Sequence, residues 1–447
     1  MSQDTSQSPS SFAWKKVEIE THDGKTYNMT PIVFGFMYYE DISKPFITAN
    51  LFITDSGMNA RSEAPIQGYE KVTIEVSAPG EDGTDQDYEY EFYVYRLGDI
   101  VISNKVQTYN MGLISKEALQ NEGVRISKTM KGYPHDIAKE CIEDFLKSDK
   151  DFFADEATNK SVFIAANKTP FTVCANLLYK SMSAPTPRTD SGSDNSTLTG
   201  HSGFMFFENA KGFNFRSINN LCDPTKDLPG GDGKGRTFVD TATPDGSLSN
   251  VITNVTFESE INVMEGLRLG AYCSELQTYN FDTGYVETGF FSAKDEYDNQ
   301  SHLGANEKLT EGQIKLSKTP TRITSSIISN EAYYSGQDNA SVDAEIKDWT
   351  KNTLVQSISR NYLLNTQGLK IEVPGNLDLV VGEKVNVILP SSVTQDERAT
   401  APTDTENSGV YLITQLSRFY DRPTMNVKTV LKLHRDSYGY EEPGTST

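Results

Sequence analysis

Two stretches of this chain, one near each end, alternate apolar and polar residues with a period of two. That pattern, more than any other, limits what the chain can fold into. Near the start, Val17 and Ile19 alternate with Lys16, Glu18 and Glu20, and Val72, Ile74 and Val76 alternate with Thr73, Glu75 and Ser77. Tyr88, Tyr90, Phe92 and Val94 alternate with Asp87, Glu89 and Glu91. Near the end, Leu377, Leu379 and Val381 alternate, followed by Val385, Val387 and Leu389. Period two places one face in a core and the other in water, so residues 12–110 and 369–433 read as antiparallel sheets or barrels.

The two stretches also resemble each other. Glu70-Lys71-Val72-Thr73-Ile74 follows a Gly and a Tyr, and Glu383-Lys384-Val385-Asn386-Val387 follows Gly382. Each leads into a polar acidic loop (Pro79 to Asp87, or Pro390 to Ser408) and then an aromatic-bearing strand, Tyr88–Arg96 or Val410–Phe419. A turn at Gly98-Asp99 or Asp421-Arg422-Pro423 and a closing strand complete both series. The shared order predicts two related β domains, with Val72–Val76 and Val385–Leu389 in equivalent places.

Helical periodicity fills the middle. Pro134 suits a first helical turn, and Ile137, Ala138, Cys141, Ile142, Phe145 and Leu146 form one stripe after it. Phe171, Cys174, Ala175, Leu178 and Met182 form another after Pro170, and Leu354, Val355, Ile358 and Tyr362 a third within residues 343–364. All three read as helices facing a core. Residues 183–200 and 223–250, rich in Ser, Thr, Asp, Gly and Pro, read as loops, with 183–200 expected to be mobile. Residues 295–345 are polar apart from a short strand near Ile323, and residues from Gly439 read as a loose tail.

With 447 residues the chain has room for two to four domains. Its 41 Lys+Arg against 62 Asp+Glu give a net charge of −21, which repels phosphate backbones and argues against stable nucleic-acid binding, though not against DNA sliding past. No apolar run approaches the roughly 18 residues of a membrane span, and Met1 to Ser11 lacks the basic and apolar regions of a signal peptide. Cys141, Cys174, Cys222 and Cys273 are too far apart for a CxxC pair and are expected to be small hydrophobes in a chain that folds under reducing conditions.

Catalytic signatures are missing. His22, His135, His201, His302 and His434 are widely spaced, and no HExxH occurs. Gly230-Gly231-Asp232-Gly233-Lys234-Gly235 lacks the Ser or Thr that a phosphate loop needs after its Lys. Ser193-Asp194-Asn195 has no Lys-Thr-Gly partner, Asp190–Asp194 lacks the Gly and Glu of a calcium loop, and no GxSxG elbow exists. No catalytic, metal or cofactor-binding residue is therefore assigned. A pair of carboxylates has no spacing signature, so a glycan hydrolase or lectin stays open as an alternative of a different class; Trp14 and Trp349 are the only tryptophans it would have.

Several ordered blocks resemble the baseplate hub subunit of T-even-type contractile-tailed phages, whose fold is related to the hub parts of VgrG. Leu369–Leu379, containing Pro374 and Gly375, runs into Gly382-Glu383-Lys384-Val385 and Leu389-Pro390. Then come Ser408-Gly409-Val410-Tyr411-Leu412-Ile413 and Leu431–Ser437, with Asp436. Ile126–Gly132 before the first helix, Gly203–Asn209 leading into Gly212–Phe215, and Gly266–Tyr272 are also similar to that family. The motif positions taken as structural are Pro374, Gly375, Gly382, Pro390, Ser408, Gly409 and Asp436.

The resemblance implies a mainly β fold with some α: two tube-type antiparallel β-barrel domains plus an inserted α/β peripheral region. Residues 1–115 would form the first barrel, 116–200 and 346–438 the second with its helices, 201–345 the peripheral domain, and 439–447 a flexible tail. It further implies a non-enzymatic homotrimer in the virion baseplate, assembled in the host cytoplasm. Its partners would be a central spike protein, a tail tube or tube-initiator protein, the tape measure protein and baseplate wedge proteins, with DNA only in transit, no cofactor and no membrane anchoring. The hub of a secretion-type contractile injection system is the nearer alternative; a fused spike β-helix would favour it, and none is expected after Asp436.

Overall fold

A computed structural model describes residues 8–57, 60–80, 84–184, 200–226, 236–241, 249–258, 262–281, 284–304, 309–328, 351–391 and 402–439. The chain is mainly β. The first seven strands are β1 (Ala13–Glu20), β2 (Thr26–Asn28), β3 (Val33–Asp41), β4 (Thr48–Asp55), β5 (Lys71–Pro79), β6 (Asp85–Ser103) and β7 (Val106–Ile114). The alternation read from sequence is real: Val17, Ile19, Val72, Ile74, Val76, Phe92 and Val94 are all buried.

The next strands are β8 (Ile126–Gly132), β9 (Phe152–Ala154), β10 (Ser161–Lys168), β11 (Met182–Ser183), β12 (His201–Ser202), β13 (Phe204–Asn209), β14 (Gly212–Ser217), β15 (Arg236–Val239), β16 (Asn254–Glu258), β17 (Cys273–Asn280), β18 (Val286–Ser292) and β19 (Arg322–Ile328). The last four are β20 (Gln367–Pro374), β21 (Lys384–Ile388), β22 (Gly409–Asp421) and β23 (Asn426–Arg435).

Thirteen strands join into one sheet, in the order β16-β20-β23-β22-β3-β4-β7-β6-β5-β1-β2, with β21 alongside β22 and β15 alongside β21. Within it lie two six-strand modules. One runs β1-β5-β6-β7-β4-β3; the other runs β15-β21-β22-β23-β20-β16. In both, strands counted along the chain lie first, fourth, fifth, sixth, third, second. The β5 and β21 strands, which begin at the Lys of the repeated Glu-Lys-Val, hold the same place in this order. Each module also has a bulge at the same point, Val94/Arg96 against β7 and Ile413/Gln415 against β23. One pairing differs: β1 is antiparallel to β5, whereas β15 is parallel to β21.

The modules share one core and one ladder. Residues Gln415–Asp421 of β22 pair antiparallel with Gly35–Asp41 of β3. A continuous cluster of buried side chains runs from Phe12 and Val17 through Phe36, Tyr38 and Tyr420 to Leu369, Val385 and Leu433.

Four expectations need correcting. The turn expected at Gly98-Asp99 is a bulge inside β6; Asp99 takes φ +54°, and the true turn is Asn104-Lys105, where both residues have positive φ, the geometry of a tight hairpin. Leu377, Leu379 and Val381 are buried but belong to turns between β20 and β21, because buried side chains rather than a neighbouring strand satisfy this backbone: Arg418 donates to the Leu379 carbonyl and Val381 N–H donates to Glu40. Met182 lies on β11, since the second helix spans Pro170–Leu178 and stops four residues earlier. The first helix, Pro134–Glu140, continues into a widened turn at Cys141–Phe145.

The third helical stretch covers Lys351–Gln356 and Ser357–Leu363. Of its expected stripe Val355 is buried, while Leu354, Ile358 and Tyr362 are half-buried; the face sealed most completely carries Gln356, Ser357 and Arg360. Residues 343–350, the tail 440–447, most of the 183–200 loop and Gly230–Gly235 lie outside the described residues.

A second core gathers the first two helices with the β13–β14 hairpin, and β14 also pairs with β9. A third, smaller one packs the β18-β17-β19 sheet on Val355 and Leu363. Several pairings cross the boundaries drawn around the peripheral region: β11 with β12 and β9 with β14 cross the one at residue 200, and β15 with β21 and β16 with β20 the one at residue 345.

Candidate assembly interface

The seam between the modules is built around buried charge. Tyr38 and Glu40 point inward from β3, and Arg418 from β22 lies over the Tyr38 ring, 5.3 Å from its centre. The Tyr38 hydroxyl donates to Glu40 Oε1, which also accepts from Ala210 N at 2.8 Å, while Oε2 accepts from Val381 N at 2.8 Å. Burial pushes the Glu40 carboxyl above its ordinary value; Arg418, the Tyr38 hydroxyl and the two amides hold back part of that shift. Burial alone would ease a proton off Arg418, but Tyr90, Tyr420, Tyr38 and Glu40 outweigh it and keep the guanidinium charged. Charges this deep persist only when paired and hydrogen-bonded. Here they fix β3, β22, the 377–381 loop and the β13–β14 turn against one another.

A second cluster ties the first module to the helical core. Lys150 Nζ lies 2.7 Å from Glu117 and 2.6 Å from Glu208; Ser115 Oγ donates to Glu208 at 2.7 Å and Ile47 N at 3.2 Å.

The motif positions divide by place. Pro374 ends β20 opposite Lys428, and Gly375 follows at φ +61°, where a Cβ would lie 2.1 Å from the Pro9 carbonyl oxygen. Gly382 leads into β21, donates to the Ile413 carbonyl at 2.9 Å, and sits against the Phe207 ring where a Cβ would approach to 2.7 Å. Pro390, Ser408 and Gly409 come together at the far end of β21–β22. Pro390 bridges Thr403, Ser408 Oγ accepts from Leu389 N at 2.9 Å, and Gly409 pairs with Val387.

Asp436 stands apart from these. Its Oδ2 accepts from Arg360 Nη1 at 3.0 Å and lies 2.8 Å from His302 Nδ1, while Oδ1 accepts from Leu303 N at 3.0 Å. Burial would raise this carboxyl, but His302 and Arg360 more than reverse the effect and hold it far below the usual carboxylate range. Cys222 lies in the same cluster, where burial first and then Asp436 push its thiol far up, so no thiolate nucleophile forms. Asp436, Arg360, His302 and Cys222 are all buried. The cluster clamps the end of β23 to the third helical stretch and to the 301–304 loop.

Sequence reading singled out Asp436 but missed Arg360, Glu40, Arg418 and Lys150. No local pattern marks them, because each is defined by a partner distant in the chain. All four cysteines are free and buried. Among the described residues no group of three His, Cys, Asp or Glu is arranged to hold a metal, and no helix is long and apolar enough to cross a membrane.

One further surface is conspicuous. Tyr95, Ile100, Val101 and Ile102 along the second half of β6, and Phe257 on β16, are exposed apolar side chains on sheet edges.

No family model matches the chain, and no curated protein matches it. Solved structures do. The tail protein from Neisseria meningitidis MC58 aligns over 95% of this chain and 97% of its own, with a TM-score of 0.50 at 12% identity. The 43 kDa tail protein of prophage MuSo2 from Shewanella oneidensis covers 94% of this chain and 98% of itself, with a TM-score of 0.49 at 10% identity. An E. coli type VI secretion system component, described as similar to the T4 tail proteins gp27 and gp5, covers 92% and 76%, with a TM-score of 0.39 at 11% identity. This chain thus shares the fold of the Neisseria tail protein, a mainly β architecture.

Proposed function

We propose that the chain is a structural hub of a phage contractile-tail baseplate, in which three copies close a ring of six β modules that adapts a threefold central spike to a sixfold tail tube. One observation carries this reading: the two modules have the same strand order and are already joined edge to edge within one chain. A closed trimer of such a chain offers six near-equivalent positions around an axis. The ring would sit in the virion baseplate, after assembly in the host cytoplasm, with the spike protein on one side and the tail tube or its initiator on the other. Tape measure and baseplate wedge proteins would be its further partners. A net charge of −21 suits a channel through which DNA passes without binding.

Within this reading residues 1–115 are the first tube-like module. The second draws on 346–438 together with β15 and β16, and 116–217 form the helical shoulder. The peripheral unit is then the β18-β17-β19 sheet and its helices. The role is structural, without catalysis. Among the described residues, a cavity of about 670 Å³ between Ile42, Phe204, Glu265 and Tyr362 has a single carboxylate on its wall, whereas glycoside hydrolysis generally uses a pair.

Light scattering tests the proposal: the expected mass is three times the 49.6 kDa of the chain, and images of the particle should show a ring with six lobes. A stable monomer at high concentration, or glycan hydrolysis lost on changing one carboxylate, would sink it. The hub of a secretion-type injection system predicts the same ring, and capture of a phage tail-tube protein rather than a secretion-tube protein separates the two.

A further inference from the structure

We infer that the second half of β6 pairs antiparallel with β16 of a second copy of this chain, in a register set by the seam inside the chain itself. The inference rests on the trimeric-hub reading and gives it a residue-level interface.

The template is the β22–β3 ladder, in which the fifth strand of the second module pairs with the second strand of the first. The reciprocal join would bring the fifth strand of the first module, β6, to the second strand of the second module, β16. A single chain cannot make both joins, because β6 and β16 lie far apart along the same sheet. Both edges are open among the described residues. The β5 ladder leaves β6 at Tyr93, and β16 is the end strand of the sheet, paired only with β20.

Register follows from the shared ladders. The matching bulges set Gln415 against Arg96, Leu416 against Leu97 and Ser417 against Gly98. Beyond that point β6 carries one more bulge, between Gly98 and Val101, so Asp99 and Ile100 together take the place of Arg418. Phe419, Tyr420 and Asp421 then correspond to Val101, Ile102 and Ser103. On the other side, the pairing of Leu51 with Phe36 and of Ile371 with Val255 sets Gly35, Phe36, Met37, Tyr38 and Tyr39 against Asn254, Val255, Thr256, Phe257 and Glu258. Transferring the internal pairs gives Gly98 opposite Glu258, Val101 opposite Thr256, Ile102 opposite Val255 and Ser103 opposite Asn254. Asp99 and Ile100 both face Phe257.

Burial supports the same register. At the internal seam Tyr420 is 0% exposed and Tyr38 1% exposed, whereas their counterparts Ile102 and Phe257 are 67% and 57% exposed. Apolar side chains stand in water at the two places where the equivalent positions are covered by a neighbouring module. An open apolar edge also invites pairing with another chain, and a second copy would cover it.

The test is cross-linking in the intact chain, whose own cysteines are all buried. Val101→Cys/Thr256→Cys and Ile102→Cys/Val255→Cys are made separately, because adjacent antiparallel pairs alternate in spacing and one of the two suits a disulfide. Oxidation should give linked chains on a denaturing gel, ending at three, while the off-register Val101→Cys/Asn254→Cys should give none. In addition, Ile102→Asp should weaken self-association at least tenfold and leave the melting of the monomer unchanged. A three-copy particle that neither pair cross-links, or an Ile102→Asp variant that assembles like the parent, overturns this seam and leaves the hub reading standing. Linked species that run past three chains keep the seam and remove the threefold reading, and a protein that stays monomeric removes both.

Discussion

The two modules are alike in strand order and unlike in how the chain supplies them. The first is drawn from one stretch, Ala13–Ile114, whose strands follow one another with short connections. The second takes strands from Arg236 to Arg435, with the β18-β17-β19 sheet and the third helical stretch lying between its second and third strands. Loop closure costs more as connections lengthen, and distant pairings form late. The second module accordingly carries the clamps: Arg435 Nε donates to Gln367 at 2.6 Å and Nη1 to the Ser408 carbonyl at 2.8 Å, Lys384 Nζ donates to the Lys226 carbonyl at 2.6 Å, and Asp436 holds Arg360. The same arrangement of strands is thus reached in one module through short connections and in the other across long ones that buried polar contacts bridge.

The severest way to break the comparison is a charge in equivalent cores. Val72 and Val385 are buried and hold matching places on β5 and β21. Val72→Asp and Val385→Asp should each cost more than about 4 kcal/mol, enough to prevent a stable fold and with it the ring. Soluble expression and circular dichroism check this, and a well-folded Val385→Asp assembly would mean that the second module does not depend on its core.

Next comes the clamp. Asp436→Asn leaves Arg360 buried with no counter-charge and should cost about 3–5 kcal/mol by urea denaturation. Because Asp436 is held below its unfolded value of about 3.9, its contribution is present above that pH and lost as pH falls below it. The parent should therefore lose stability between about pH 5 and pH 2 more steeply than the variant. Equal slopes would show that Asp436 does not supply the acid sensitivity.

A gentler test compares Leu113 on β7 with Leu433 on β23, both fully buried and equivalent in register. Each change to Ala should cost about 2–5 kcal/mol. A single cooperative transition for both variants would follow from the shared core, and two separate transitions would show that the modules melt independently. The smallest effect belongs to the exposed edge: Ile102→Thr should change the stability of the monomer by less than about 0.5 kcal/mol in thermal melts.

Much of the first module was legible in sequence, because β5 and β6 present one wet and one dry face and period two survives in the residues. The repeated Glu-Lys-Val pointed to equivalent strands, and the pairings of β5 and β21 agree with that. The first and second strands of the second module escaped notice. Phe238 on β15 is one buried residue in a four-residue strand, and β16 has no fully buried residue at all, so neither shows alternation. The 377–381 segment misled for the opposite reason: three buried apolar residues alternate, but their backbone is satisfied by Arg418, Glu40 and Asn209 from elsewhere in the chain. The polar clamps were illegible because a charge on a helix, such as Arg360, looks solvated until its partner is known. Of the motif positions, Gly375 and Gly382 explain themselves through positive φ and close backbone or ring contacts, which only the fold reveals.

The join between β22 and β3 is made by main-chain atoms over seven residue pairs. Peptide groups are the same at every position, so substitutions accumulate on either side of such a joint without loosening it, provided the strand conformation survives. A contact made by matched side chains would have to coevolve, change for compensating change. A ladder escapes that constraint, and a joint of this kind keeps its place while the side chains around it change.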